Sequence, residues 1–304
     1  MREALKTIKR RTWKEQWNIA VVEIDHEKFL AGGIDNVELN WLFKERKDSF
    51  CADPFIIENE NRTFVFFEEY NYEFEKGVIA CSEITKVNSR IVASKPITIL
   101  EEPYHLSYPF VFQKDGEWLM VPESSAAEEI IVYRAINFPY HWEKRRVLIE
   151  HLPALDPTII EQNGFMWLFC TRVDKGENSA LHAYYSDSLF GKWKPHLQNP
   201  IKTDLSAARP AGKMFVLNEK LYRPSQNSMK TYGKSITLNK ITRLTPDTFE
   251  EIKVGEIKPQ TPSSYKQGIH TFNFSKKYVV IDGKRFSGLK KYFDPIYSRY
   301  FKKQ

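Results

Sequence analysis

Cysteine is scarce: Cys51, Cys81 and Cys170 are the only three in 304 residues. An odd count with no close pair excludes a disulfide framework and a zinc signature. Long hydrophobic runs are missing too. No stretch reaches the ~18 apolar residues of a membrane span, and no export-signal core follows the basic residues 1–11. With reduced thiols, the expected compartment is cytoplasmic. There is no Gly-rich phosphate loop, no Rossmann fingerprint, no His-Glu-x-x-His and no Gly-x-Ser-x-Gly elbow. His182 and His196 are isolated, so neither a metal nor a cofactor is expected. The net charge of +6 is diffuse. It suits an anionic substrate or a membrane surface, and it is too weak to argue for nucleic acid.

Aromatic side chains, by contrast, make up 14% of the chain, which favours strands and sugar-stacking surfaces. A short phrase also recurs. It appears as Asp53-Pro54-Phe55, Tyr108-Pro109-Phe110, Asp156-Pro157-Thr158 and Arg209-Pro210-Ala211, and without proline as His270-Thr271-Phe272. Successive copies lie 55, 48, 53 and 61 residues apart, near the roughly 40–50-residue period of propeller blades. A second apolar run follows each copy, at residues 63–67, 118–121, 166–170, 220–222 and 278–281. Runs of this length fit strands buried on both faces.

The reading is all-β: a five-bladed β-propeller over residues 17–285, a short N-terminal arm over 1–16 and a basic aromatic C-terminal tail over 286–304. A pair of β-sandwiches is the alternative. Residues 17–24 read as a strand, placed as the outer strand that completes the last blade. The tail interleaves lysines with aromatics and is broken by Pro295. It reads either as a segment packed on the propeller or as an interfacial segment on anionic lipid, at the inner face of a membrane.

Inner strands of a propeller line one channel. The repeated polar residues Asp53, Tyr108, Asp156, Arg209 and His270 therefore point at one shared space. Fifteen residues after the first three come Glu68, Glu123 and Thr171. In the fourth unit the matching neighbourhood holds Arg223 followed by Gln226, and in the fifth Asp282. Glu68 and Glu69 are adjacent on a strand, so only one of them faces the channel. A carboxylate pair at about 5–5.5 Å or about 6.5–9.5 Å can perform glycosyl chemistry. Crowding raises carboxylate pKa values, and nearby arginines suit a phosphate or carboxylate on the substrate.

Cys51-Ala52-Asp53-Pro54-Phe55, Ser107-Tyr108-Pro109-Phe110 with Val121-Pro122-Glu123-Ser124, Leu155-Asp156-Pro157, Arg209-Pro210-Ala211-Gly212 and Tyr222-Arg223-Pro224-Ser225-Gln226 with Tyr232-Gly233 together point to one family. Over roughly residues 40–285 the chain resembles the amino-terminal propeller domain of glucosamine inositolphosphorylceramide transferase and its free-standing bacterial relatives. More distantly it is similar to the five-bladed arabinanase, invertase and levansucrase superfamily. That resemblance implies Asp53 as base or nucleophile, Asp156 as the aspartate that orients substrate or tunes pKa, and Glu123 as general acid. Two features depart from the glycosidase pattern: Arg-Asp-Pro is reduced to Arg209-Pro210, and the glutamate lies on the second blade.

The catalytic candidates are thus Asp53, Glu123 and Asp156. The substrate-binding candidates are Glu68, His105, Tyr108, Arg209, Arg223, Gln226 and His270. The expected function is a glycosyltransferase-type enzyme of surface glycan or glycolipid biosynthesis, with Arg209 and Arg223 holding a nucleotide-sugar or lipid phosphate. A glycoside hydrolase and a non-catalytic glycan-binding propeller are the alternatives. The expected partner is a sugar or glycoside, phosphate-bearing in the first reading, with membrane contact through the tail.

Overall fold

A computed structural model describes residues 13–288 of the chain. Five antiparallel sheets stand around an axis, each with a core of four strands. From the channel outward, blade 1 is Ser49–Asn59, Arg62–Asn71, Lys76–Val87 and Arg90–Ala93. Blade 2 is Ser107–Lys114, Glu117–Glu123, Glu129–Asn137 and His141–Glu150. Blade 3 is Ala154–Gln162, Phe165–Arg172, Ala180–Ser186 and Lys194–Pro195. Blade 4 is Phe215–Leu217, Lys220–Asn227, Ser235–Leu244 and Phe249–Ile257.

Blade 5 closes the ring with both ends of the described chain. Its inner strands are Phe272–Phe274 and Tyr278–Gly288, and Trp13–Glu23 pairs with the latter along its full length, Trp13 opposite Gly288. The N-terminal strand therefore completes the last blade, but from the third position. The two-residue strand Asn40–Trp41 takes the outer edge. The tail beyond Gly288 lies outside the described residues, as do residues 1–12. No helix among the described residues is long and apolar enough to cross a membrane.

The apolar second strands are buried because a blade is covered on both faces. Phe64, Val65, Phe66 and Phe67 are each at most 1% exposed. Phe64 and Phe66 face the core shared by blades 1, 2 and 3, whereas Val65 and Phe67 face blade 5. Alternation along one strand thus feeds two inter-blade cores, and each phenylalanine contributes about 1.5–3 kcal/mol.

The Asp-Pro and Tyr-Pro phrases have a backbone cause in common. Asp53, Tyr108 and Asp156 adopt φ of 53°, 44° and 51°, in the left-handed region that non-glycine residues rarely occupy. At each, the inner strand carries one extra residue. Ala52 pairs with Glu68 but Phe55 with Phe66, Ser107 with Glu123 but Phe110 with Val121, and Leu155 with Thr171 but Thr158 with Phe169. Such a bulge re-aims a side chain. It also explains the fifteen-residue register, because the residue just before each bulge pairs with the residue that forms the second ring. Blade 4 is irregular in another way: between Pro210, which bridges Ser225, and Phe215, which pairs with Tyr222, the inner chain carries two extra residues, and Arg209 precedes the short inner strand.

Candidate active site

The bulges and strand ends open onto a cavity of about 370 Å³ at one end of the channel. Asp53, Glu68, Glu123, His105, Arg209 and His270 line it, with Trp17, Phe50, Tyr70, Tyr72 and Tyr232 forming an aromatic surround. Six of the ten sequence-derived candidates therefore meet at one pocket.

The carboxylates are buried together. Asp53 is 5% exposed, Glu68 6% and Glu123 4%. Burial pushes the Asp53 carboxyl up to about 6, against the opposing charge of His270. Burial and then the charge of Asp156 push Glu123 up to about 8, with Arg209 opposing. Glu68 is raised well above its ordinary range, first by burial and then by Asp53 and Glu123. Glu69, its neighbour, points out of the pocket and pairs with Arg46 at 2.7 Å.

His105 accepts the backbone N–H of Gly77 at Nδ1, 2.9 Å away, and its Nε2 faces Glu68 Oε1 at 3.6 Å. An accepting Nδ1 leaves Nε2 as the proton-bearing nitrogen of the neutral ring. Burial pushes His105 down to about 4, so the ring is neutral at physiological pH. Gly77 is required there: a Cβ would stand 2.5 Å from the Leu106 carbonyl oxygen and 2.7 Å from Glu68 Oε1.

The other four candidates lie outside the cavity lining. Asp156 does not line the cavity. It is 1% exposed, and its carboxylate receives Arg209 Nε at 2.6 Å, Arg209 Nη2 at 3.3 Å and Gln226 Nε2 at 2.8 Å. From behind the lining it anchors Arg209, and its charge raises Glu123, in keeping with the pKa-tuning role that the resemblance implies. Gln226 sits behind it for the same reason, its amide also donating to the Pro210 carbonyl at 3.1 Å. Tyr108 is fully buried at the axis, where its hydroxyl bonds Thr158 Oγ1 and accepts the N–H of Gly212, both at 2.8 Å. Arg223 points into blade 4, where Glu251 takes its guanidinium at 2.6 and 2.9 Å and the Ala207 and Ala208 carbonyls take one further N–H each.

Arg209 does line the pocket, but it is committed. Besides Asp156 it reaches Glu123 Oε2 at 3.5 Å and lies over the Tyr232 ring at 5.3 Å. Arg223 is thus turned away from the cavity, and Arg209 faces it with its Nη1 also reaching Asn178 Oδ1 at 3.4 Å. Asp53, His270 and Asp282 bring metal-ligand atom types within 4.8 Å of one another. The Asp282 oxygens, however, face three backbone N–H groups and His270 Nδ1. That is the geometry of a hydrogen-bond chain.

Sequence reasoning passed over the aromatic lining. Glu68 and Tyr70 occupy alternate positions of one strand and so share a face, and Tyr72 follows at the same spacing, which was a usable signal. Trp17 and Tyr232 come from elements joined only by ring closure and a long loop, and no local pattern announces them.

A family model described as "Glucosamine inositolphosphorylceramide transferase 1, N-terminal" matches residues 43–287. Glucosamine inositolphosphorylceramide transferase 1 of Oryza sativa subsp. japonica is 36% identical over 211 residues, covering 68% of this chain and 28% of that protein. The protein of the same name from Arabidopsis thaliana is 33% identical over 231 residues, 74% of this chain and 29% of its own length. The chain thus spans less than a third of these relatives. Among solved structures, an exo-beta-1,3-galactanase from Clostridium thermocellum superposes with a TM-score of 0.56 at 13% identity, covering 71% of this chain and 53% of that one. An alpha-L-arabinofuranosidase from Lactobacillus brevis gives 0.52 at 13% identity, covering 70% and 81%. At such identity the likeness is one of fold.

Proposed function

The chain belongs to the family described as glucosamine inositolphosphorylceramide transferase 1, N-terminal, and on that premise we propose that its channel pocket transfers a glycosyl group, with Asp53 as base or nucleophile and Glu123 as acid. One observation carries the reading. Two carboxyls lining one cavity are pushed to about 6 and about 8. At neutral pH the first is ionised and the second holds its proton. Paired groups with separated values are how one site supplies both acid and base.

In the step so described, Asp53 takes the proton of an acceptor hydroxyl as that oxygen bonds the anomeric carbon, or attacks the carbon itself to form a glycosyl-enzyme, whose Asp53–carbon bond the acceptor oxygen then breaks as Glu123, now ionised, takes the acceptor's proton. The glycosidic bond breaks, and Glu123 donates its proton to the departing oxygen. The aromatic surround offers faces for the C–H side of sugar rings. Because Asp156, Glu123 and Glu251 occupy both arginines, this reading favours a neutral glycosyl donor over a nucleotide sugar. A glycolipid or surface glycan is the acceptor class in this reading, and the relatives' name, which contains inositolphosphorylceramide, supports the lipid. Water as acceptor makes the same machinery a hydrolase.

The test is turnover of neutral aryl glycosides and glycolipid headgroups by wild type, Asp53→Asn and Glu123→Gln, with folding checked by circular dichroism. Each substitution is expected to lower kcat at least about a hundredfold. Activity that survives both changes contradicts the assignment. Unchanged sugar binding by Asp53→Asn, with no turnover of any donor by wild type, favours a glycan-binding propeller instead.

A further inference from the structure

Asp282 stands at the seam where blade 5 closes onto blade 1, and it is fully buried. Its Oδ1 accepts the backbone N–H groups of His270 at 2.8 Å and Thr271 at 3.1 Å. Its Oδ2 accepts the backbone N–H of Asp53 at 3.2 Å and faces His270 Nδ1 at 2.5 Å. One carboxylate thus fixes three backbone positions around the candidate base and one edge of an imidazole ring. That ring cannot turn freely. It is stacked on Trp17, with centroids 3.9 Å apart and planes at 14°, and Tyr232 meets it edge-on at 5.3 Å. Its other nitrogen, Nε2, is left 3.7 Å from Asp53 Oδ1, the same oxygen that takes the Thr271 hydroxyl at 2.7 Å.

We propose, building on the reading of Asp53 as the reacting carboxylate, that Asp282 and His270 form a positioning pair for it. Asp282 accepts the Nδ1–H of an imidazolium, and Nε2–H is directed at Asp53 Oδ1, holding that carboxylate in place and in its charged form. Neither residue exchanges a bond with substrate.

The surroundings oppose a charge on Asp53: burial disfavours it, and Asp156 from blade 3 and Asp282 from blade 5 add like charge. Arg209 is spent on Asp156 and Glu123. Lys284 donates to the Tyr232 carbonyl and holds its ammonium 5.2 Å from the Trp17 ring, and Tyr232 supplies only a neutral hydroxyl at working pH. His270 is the cation in contact with Asp53. Burial works against its charge, yet Asp282 and Asp53 outweigh burial and raise it. Its charged form is therefore stable below the raised value and is lost as pH climbs through it.

The pair can be tested without any assumption about turnover. In ¹⁵N spectra of the whole chain, with His270 assigned by its absence from His270→Gln, the ring should lose its second proton at a midpoint above the ordinary histidine range, with both nitrogens protonated below it. With [¹³C]aspartate, and Asp53 assigned through Asp53→Asn, the carboxyl midpoint of Asp53 should rise in His270→Gln by about one unit or more. His270→Gln is preferred to Asp282→Asn because so many N–H groups depend on Asp282. A His270 midpoint at or below the ordinary histidine range, or an unmoved Asp53 midpoint, overturns the pair. Where turnover is measured, the acid limb of the profile should move by the same amount, whereas a merely structural role lowers the rate and leaves the limb in place. Spectra as expected with no turnover on any glycoside refute the enzymatic reading and leave the pair standing.

Discussion

Arg209→Met should be the most costly single change in the pocket. The Arg209 side chain is 11% exposed and its partner Asp156 2%, so the pair is screened little by water. Removing the guanidinium leaves a buried carboxylate with Gln226 Nε2 as its remaining side-chain donor, and takes the opposing charge from Glu123. Breaking one side of a buried pair costs about 3–5 kcal/mol, and the retained Gln226 bond places the expectation near the lower end, about 3 kcal/mol. Urea unfolding followed by tryptophan fluorescence gives the loss directly. A double-mutant cycle with Asp156→Asn should return a coupling of about 1–3 kcal/mol. A loss below about 1 kcal/mol, or additive single effects, would refute the view that Asp156 is an anchor held by Arg209.

Three further outcomes follow from the same geometry. Gly77→Ala should destabilise by about 1–3 kcal/mol through overpacking, because its Cβ meets the Leu106 carbonyl, Glu68 and His105; an unchanged melting temperature contradicts this. Glu123 is held at about 8 when folded against 4.5 ordinarily, so the folded state binds the extra proton between those values and loses stability as pH rises through that window. Glu123→Gln should therefore narrow the stability gap between pH 5 and pH 8 in urea unfolding, and an unaltered gap rejects the shift. Thr271→Val removes the hydroxyl that lowers Asp53. It should move the Asp53 midpoint upward, by less than His270→Gln does, and a downward or absent movement in carbon NMR counts against the assigned hydrogen bond.

The blade count and the pocket's location were legible because a repeated proline marks a repeated backbone event. The polar residue before Pro54, Pro109 or Pro157 sits in a bulge, and the bulge fixes which residue of the next strand stands beside it. The direction of each side chain was not legible. Tyr108 shares the register of Asp53, yet its length carries the hydroxyl across the axis to Thr158 and Gly212. Arg223 and Gln226 both fall in the neighbourhood of the second ring, but the different register at the start of blade 4 brings Gln226 opposite Arg209, where its backbone N–H donates to the Arg209 carbonyl at 2.8 Å. Arg223, three residues away, points into the blade and meets Glu251, a residue of the outer strand that no short-range pattern connects to it. Charge also misled. Two arginines near carboxylates read as phosphate ligands, and only the contacts show them neutralised from within.

The central claim is that Asp53 and Glu123 divide base and acid roles in one pocket. Its most direct test is kcat/KM of the wild-type chain against pH on a neutral glycoside. The account predicts a bell with limbs near 6 and 8, the lower set by ionisation of Asp53 and the upper by loss of the Glu123 proton. A rate that is flat across that range, or a bell whose limbs stay in place in Asp53→Asn and Glu123→Gln, contradicts it.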